Sequence, residues 1–544
     1  APFRAARTGK ITKERTPMSQ NVEMDPVDDV LFKDLLAQRA ATDPDRVFLK
    51  FKDDVFTVAD INRAANRVAN ALLSSGLAPG DRVGIMLPSH PDHVIAIFAS
   101  MKAGLVRVPV NVHARGDSLE HYFTSYDMSA LIADAGYAEA LDAAFETAPR
   151  PAMFWRGQEV ATPDSYEAQV AAASDAEPDV DFGPDDVLAL TPSSGTTGAP
   201  KGVLKSDRTL RGGPMAVLNI TDAKKGDVFL LWEALHHGAG VAVIISAVIG
   251  GVTLAMVERF SASGFWDDVR RHGVTHIHYL GGVLPLLLKQ KPSDLDRDHK
   301  VRIAWGGGCP PEIWKDVEQR FGVELREGYG LSELITFVTL NKDGRVGSCG
   351  RPLSLFDIMI ADDDGNEVPR GETGEIVARG TQEGLGFLGY FRNEQTSRDT
   401  QREGWLLTGD LGRMDEDGYI FYAGRKKEML RRRGINISAW EVEQVVNKHP
   451  AVAESALVGV PSELGEDELK IFVKLVDGVA FDPMELVSFC ETRMAYYQVP
   501  RYVAEINEFP KTPTQRIRKK ELSRSAEGVW DLEATGYKLG RKSA

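Results

Sequence analysis

The stretch Ser193-Ser194-Gly195-Thr196-Thr197-Gly198-Ala199-Pro200-Lys201-Gly202 gathers small residues, four hydroxyls and one lysine between two apolar runs. Val187-Leu188-Ala189-Leu190 reads as a buried strand ahead of it, and Gly202-Val203-Leu204 resumes behind it. Such a loop can wrap a polyphosphate: glycines let the backbone approach, hydroxyls and amides donate hydrogen bonds, and the lysine supplies charge. The spacing is not that of a Walker loop, which ends in Gly-Lys-Ser/Thr. Taken alone, the stretch is equally compatible with an ordinary flexible turn.

Further along, Gly328-Tyr329-Gly330-Leu331-Ser332-Glu333 follows the strand-like Val323-Glu324-Leu325. Its tyrosine can stack on a base and its glutamate can ligate magnesium, a hard cation that takes one or two carboxylates. In Thr408-Gly409-Asp410 the aspartate can accept from both hydroxyls of a ribose, whereas Asp417-Gly418 reads only as a hairpin turn. Next come Gly424-Arg425-Lys426-Lys427-Glu428 and Arg431-Arg432-Arg433-Gly434-Ile435-Asn436. A basic run usually marks a solvated face, but a glycine in its midst lets a ligand chain approach.

The elements that must position these residues alternate in type. Val30 to Ala41 has helical spacing, Phe56 to Val58 is a short strand, and Ala59 to Ser75 is a helix ending at Gly76. Strand-like Arg82 to Leu87, helical Pro91 to Gly104 and strand-like Val106 to Val110 follow, and the pattern resumes through Val274–Tyr279 and Val301–Trp305. This alternation predicts an α/β fold with parallel sheets. Between Gly347 and Gly424 short strands and Gly/Asp turns suggest a small β-barrel subdomain. A charged α+β segment comes after it. The expected organisation is a basic, unstructured extension over 1–29, a large domain over 30–426, and a small mobile domain over 427–544.

At 544 residues the chain is too long for one core. A formal net charge of −15 argues against nucleic acid as the main partner. Three widely spaced cysteines argue against a disulfide framework and suit a reducing, cytoplasmic setting. The longest apolar run, Gly238 to Met256, is broken by glycines and a serine and reads as core rather than as a membrane span.

Taken together and in this order, the motifs resemble those of the adenylate-forming superfamily of acyl-CoA synthetases, luciferases and peptide-synthetase adenylation domains. The resemblance runs from about residue 30 to 525. It implies ATP, magnesium and coenzyme A, a small-molecule carboxylate, and a monomer or homodimer. By that resemblance Ser193, Ser194, Gly195, Thr196, Thr197, Gly198 and Lys201 hold the ATP phosphates. Tyr329, Gly330 and Ser332 border the adenine, with Gly306, Gly307 and Gly308 on its other side. Glu333, with Thr196, binds magnesium, and Asp410 and Arg425 hold the ribose. Lys427 is the hinge and Gly434 lines the pantetheine channel. His237 matches the family histidine at the acyl pocket, which Gly281, Gly282, Val283, Gly306, Gly330 and Leu331 would also line.

The usual Gly-Lys near the C-terminus is here Gln515-Arg516, so Arg516 stands where the lysine bridging carboxylate and ATP belongs. Arginine keeps the charge as a planar fork rather than a compact point. The expected activity is a two-step carboxylate–CoA ligation through acyl-AMP. Luciferase-like or carrier-loading chemistry, or a weak nucleotide-binding homologue, are the alternatives. The stretches Arg431 to Glu443 and Val499 to Val503 look most like the carnitine/crotonobetaine and fatty-acyl branches. A quaternary ammonium substrate would want aromatic faces and a carboxylate, for which Trp232, Glu233 and Trp305 are candidates.

Overall fold

The computed structural model describes residues 21–158, 162, 165–193, 201–432, 435–461, 467–511, 517–537 and 539. They divide into two compact units: the described residues up to Ile358 with Ala378–Leu406, and Met359–Val377 with the residues from 407 onward. Lys427 falls inside the second of these.

The larger unit is built on two sheets. The six-stranded one runs in the order Ala152–Arg156, Ala130–Asp134, Arg82–Met86, Val106–Pro109, Val187–Ser193, Lys201–Ser206. All neighbours are parallel except the last two strands, which form an antiparallel pair. The nine-stranded sheet is parallel through Val47–Phe51, Thr253–Met256, Val228–Leu231, His276–Leu280, Ile303–Gly307 and Glu324–Tyr329. Helices alternate with these strands, as the sequence pattern predicts. Strands covered on both faces read as continuous apolar runs rather than alternating ones, and Val106–Pro109 is buried along its whole length.

Local signals set the helix ends. Val58–Ser74 starts at a reciprocal cap: Thr57 Oγ1 accepts the Asp60 amide at 3.2 Å, and Asp60 Oδ2 accepts the Thr57 amide at 2.9 Å. Pro91–Lys102 carries its proline in the first turn. The apolar run from Gly238 is a buried helix, Gly238–Gly250, followed by the strand Thr253–Met256. Among the described residues no helix is long and apolar enough to cross a membrane.

Residues 22–29, grouped by sequence with the unstructured extension, are fastened to the larger unit. Val22 bridges Leu353, the Met24 amide donates to Ser354 Oγ at 2.9 Å, and Arg211 pairs with Asp28 at 2.7 Å. Arg208 pairs with Asp29 at 2.8 Å. The acids here compensate arginines that are themselves buried.

Trp405–Met414 pairs antiparallel with Ile420–Arg425, and Asp415 to Gly418 close the expected hairpin turn. These strands belong to a five-stranded sheet with Phe356–Ala361, Thr373–Gly380 and Gln401–Arg402. A four-stranded sheet follows, in the order Val452–Pro461, Asp467–Leu475, Tyr502–Glu505, Trp530–Asp531. Its core joins Leu457, Ile471 and Val503 to Val442 of helix Ala439–Val446 and Val487 of helix Pro483–Glu491. This is the α+β texture expected of the C-terminal part.

Candidate active site

Of the residues assigned from sequence, Ser194, Gly195, Thr196, Thr197, Gly198, Gly434 and Arg516 lie outside the described residues. The flanks of the phosphate-loop stretch are described: Ser193 and Lys201 are register partners at the open end of the antiparallel pair Val187–Ser193 and Lys201–Ser206.

Three side chains converge there. Lys201 Nζ lies 4.9 Å from the centroid of the Tyr390 ring, and Tyr390 OH donates to Glu333 Oε1 at 2.9 Å. The ring carries the ammonium on its face and the carboxylate at its hydroxyl. Burial and the neighbouring Glu333 carboxylate push the Tyr390 phenol upward, so it stays a donor at neutral pH. Behind Glu333, the buried Lys205 donates to the carbonyl of Leu334 and anchors the Ser332–Leu334 segment. Burial pulls Lys205 down to about 8, against the opposing pull of Glu333. Sequence reasoning singled out Lys201 and Glu333 and missed Tyr390 and Lys205. Tyr390 sits 57 positions from Glu333, and no spacing rule ties an isolated aromatic to a distant carboxylate.

Tyr329 is the last residue of its strand and is buried, its amide donating to Thr339 Oγ1 at 3.1 Å. Glycine is required on both sides of it for close approach. A Cβ at Gly330 would stand 1.9 Å from the Thr336 carbonyl oxygen, and one at Gly306 would stand 1.9 Å from that of Tyr279. At Gly306 the missing side chain therefore admits backbone. Gly281 likewise faces Gly308, whose carbonyl oxygen would lie 3.0 Å from a Cβ. Val283 opens the short helix Val283–Leu288 and packs into the core with Tyr279 and Cys309. Leu331 and Ser332 are partly exposed in the turn before Glu333. Beneath this turn region lies a further missed group, Glu327, which accepts the Cys309 amide at 2.7 Å and is pushed up to about 7 by burial.

In the smaller unit Asp410 and Arg425 are register partners on neighbouring strands, joined by Arg425 Nε to Asp410 Oδ1 at 2.9 Å. Asp410 is buried, while Arg425 is partly exposed. Gly409, at φ +69°, makes the turn that aims the Asp410 backbone, and its amide donates to Glu375 Oε1 at 2.9 Å. Lys427 is exposed in the 3₁₀ turn Lys426–Glu428. The segment that includes Arg516 is anchored on both flanks: Lys511 bridges Ile517 and pairs with Glu454 at 2.7 Å. Lys519 pairs with Glu428 at 2.7 Å and Glu443 at 2.8 Å.

The residues considered for a cationic substrate do come together, but around a group of the protein's own. Glu233 bonds His278 Nδ1 through one oxygen and the Trp232 amide, at 3.0 Å, through the other. The His278 ring lies 4.2 Å from that of Trp305 and 6.3 Å from that of Trp232. His278 thus takes the place a ligand cation would need. His237 is partly exposed at the N-cap of Gly238–Gly250, and its ring lies 4.3 Å from that of the buried His236.

Two family comparisons match this architecture. Residues 36–391 match the AMP-binding enzyme family and residues 441–516 the AMP-binding enzyme C-terminal domain. The chain belongs to the family of AMP-binding enzymes. Among curated relatives it is 29% identical over 480 residues to a crotonobetaine/carnitine–CoA ligase of Salmonella agona (strain SL483), covering 86% of this chain and 93% of that one. Among solved structures it resembles the anthranilate CoA ligase AuaEII in complex with anthranoyl-AMP, with a TM-score of 0.83, 25% identity, and coverage of 91% and 96% of the two chains. A Mycobacterium tuberculosis fatty acyl CoA synthetase gives a TM-score of 0.71 at 27% identity, covering 90% and 97%.

Proposed function

We propose that this chain is an ATP-dependent carboxylate–CoA ligase, forming acyl-AMP with release of pyrophosphate and then acyl-CoA with release of AMP. The observation that carries the reading is the convergence of Lys201, Tyr390 and Glu333 at the open end of the strand pair that flanks the Ser/Thr/Gly loop. Its support is membership in the AMP-binding family and the naming of relatives as CoA ligases.

In the first step a carboxylate oxygen attacks the α-phosphorus in line and pyrophosphate leaves. Lys201 and the amides and hydroxyls of Ser193 to Gly198 hold the leaving phosphates, in a geometry set before reaction. Glu333 suits magnesium, which takes few protein carboxylates and completes its shell with phosphate oxygens and water. Magnesium bound at Glu333, with Thr196, would neutralise charge on the departing pyrophosphate. Tyr390 OH fixes the orientation of the Glu333 carboxylate, and Lys205 fixes its loop. Tyr329 and the Gly306 to Gly308 turn border the adenine, Asp410 and Arg425 take the ribose, and Arg516 bridges the carboxylate and ATP. In the second step the CoA thiolate attacks the acyl carbonyl, with Gly434 lining the pantetheine path and Lys427 as the hinge.

The named substrates of the relatives, carnitine and anthranilate among them, differ in charge and shape, so the acyl class must come from this chain's own residues. The test is incubation with ATP, magnesium, CoA and a carboxylate panel, with quantification of AMP, pyrophosphate and thioester. The reading expects one AMP and one pyrophosphate per acyl-CoA. Acyl-AMP accumulating without thioester, whatever the CoA concentration, would contradict it.

A further inference from the structure

Arg107 is 2% exposed, on an interior strand of the six-stranded sheet of the larger unit. Its strand neighbours Val106, Val108 and Val110 pack into an apolar cluster, and alternation turns Arg107 to the opposite face. Its only hydrogen bond among the described residues is a long one, Nη1 to the Leu235 carbonyl at 3.4 Å. Four other buried cations have counter-charges: Lys102 has Glu177, Arg208 has Asp185, Arg211 has Asp207, Arg326 has Asp222. Buried Lys205 and Lys470 form no ion pair among the described residues but donate to backbone carbonyls at shorter range. Arg107 has no carboxylate beside it among the described residues, and burial alone pulls its guanidinium down to about 10. An unpaired buried charge is among the costliest features a fold can keep.

Its surroundings repeat the pattern. The electrostatic neighbours His93 and His236 are both buried, and the Nε2 atom of each lacks a hydrogen-bond partner among the described residues. Burial holds both imidazoles neutral, down to about 4 and about 2. The His93 Nδ1 proton is committed to the Pro88 carbonyl at 3.2 Å, whereas His236 can present an Nε2–H donor. Just beyond His236 and His237 begins the 13-residue helix Gly238–Gly250, whose N-terminus has no side-chain cap. Its first-turn amides add positive potential on the same side. A guanidinium with unused N–H groups, an imidazole donor and an open helix start all lack the same thing, an anion.

We propose that Arg107, with His236 and the start of helix Gly238–Gly250, seats a second, non-reacting anionic group of the acyl substrate, so that the acids activated are dicarboxylates or similarly anionic. This rests on the ligase reading. The seat is set back along the sheet from the phosphate loop. Arg107 pairs in register with Ala189, and the strand rise puts Ala189 about 13 Å from Ser193. The second anion therefore sits at the far end of a chain from the reacting carboxylate. A cationic tail is disfavoured because the Trp232–Glu233–Trp305 cluster already encloses His278.

The test is pyrophosphate exchange with dicarboxylates from malonate to sebacate, each beside its monomethyl ester, and with trimethylammonium acids such as carnitine. For one chain length the parent should prefer the diacid over its ester by about 100-fold in kcat/KM, the scale for a lost charge-assisted contact. In Arg107→Met that ratio should fall to near one. Equal rates with diacid and ester in the parent, a preferred trimethylammonium acid, or an undiminished ratio in Arg107→Met would each overturn the seat. The ester comparison in the parent needs no variant and is independent of any folding defect. Calorimetric titration of the parent with the same diacids separates the two readings: diacid binding without exchange keeps the seat and rejects the ligase, and exchange with monoacids alone does the reverse.

Discussion

Two polar regions of the larger unit handle charge in opposite ways. Lys201 and Glu333 are partly exposed, and Tyr390 joins them through ring and hydroxyl. Arg107, His93 and His236 are buried, and among the described residues no counter-charge accompanies them. The first arrangement can wait in water for a nucleotide that carries its own charge and metal. The second is stable only at a cost that a matching ligand would offset. On the proposed reading, chemistry common to every substrate belongs to the first region, and the choice of substrate to the second.

That division can be broken by experiment. A large effect is expected at Arg516. Arg516→Ala should slow adenylation by about two to three powers of ten while sparing thioester formation from supplied acyl-AMP. Single-turnover assays of each half-reaction check this, and equal loss in both would move Arg516 out of the first step. Tyr390→Phe removes one hydrogen bond to Glu333, so exchange should fall about tenfold and by the same factor for every carboxylate. A loss that depends on the acid would place Tyr390 on the substrate side and blur the two regions.

A further effect is on stability rather than on rate. Glu327 is pushed up to about 7 in the folded chain, above its ordinary value of 4.5. The folded state then holds a proton that the unfolded state gives up, so its contribution is complete below pH 4.5 and is lost as pH rises through 7. The change amounts to up to about 3 kcal/mol for that displacement. Glu327→Gln removes the titration, so the parent's Tm should fall relative to the variant's between pH 5 and 8. Parallel curves would show that Glu327 titrates normally.

The same contrast explains what the sequence disclosed. The Ser193–Lys201 and Gly328–Glu333 motifs are short, local and ordered, and strand–helix alternation declared the sheets that carry them. The Thr408–Asp410 turn was legible as a short motif and Arg425 through the family resemblance; folding makes Asp410 and Arg425 register partners. Tyr390, Lys205, Glu327 and Arg107 were not, because each acquires meaning only from a partner brought in by folding. Arg107 reads in sequence as one charged residue inside a strand, with nothing to say that no acid would meet it. Gly306 was read from sequence as lining both the adenine and acyl sites, and the structure adds that its Cβ direction is taken by the Tyr279 carbonyl. A glycine in sequence does not say which neighbour it admits.

The most direct test of the whole account is carboxylate-dependent ATP–pyrophosphate exchange, without CoA, in the parent and in Glu333→Gln. The account predicts exchange in the parent that requires both an acid and magnesium, and a drop of about a thousandfold in the variant, on the scale of a lost charged group acting on the transition state. Exchange that persists undiminished in Glu333→Gln, or a parent inert with every acid on the panel, would contradict it.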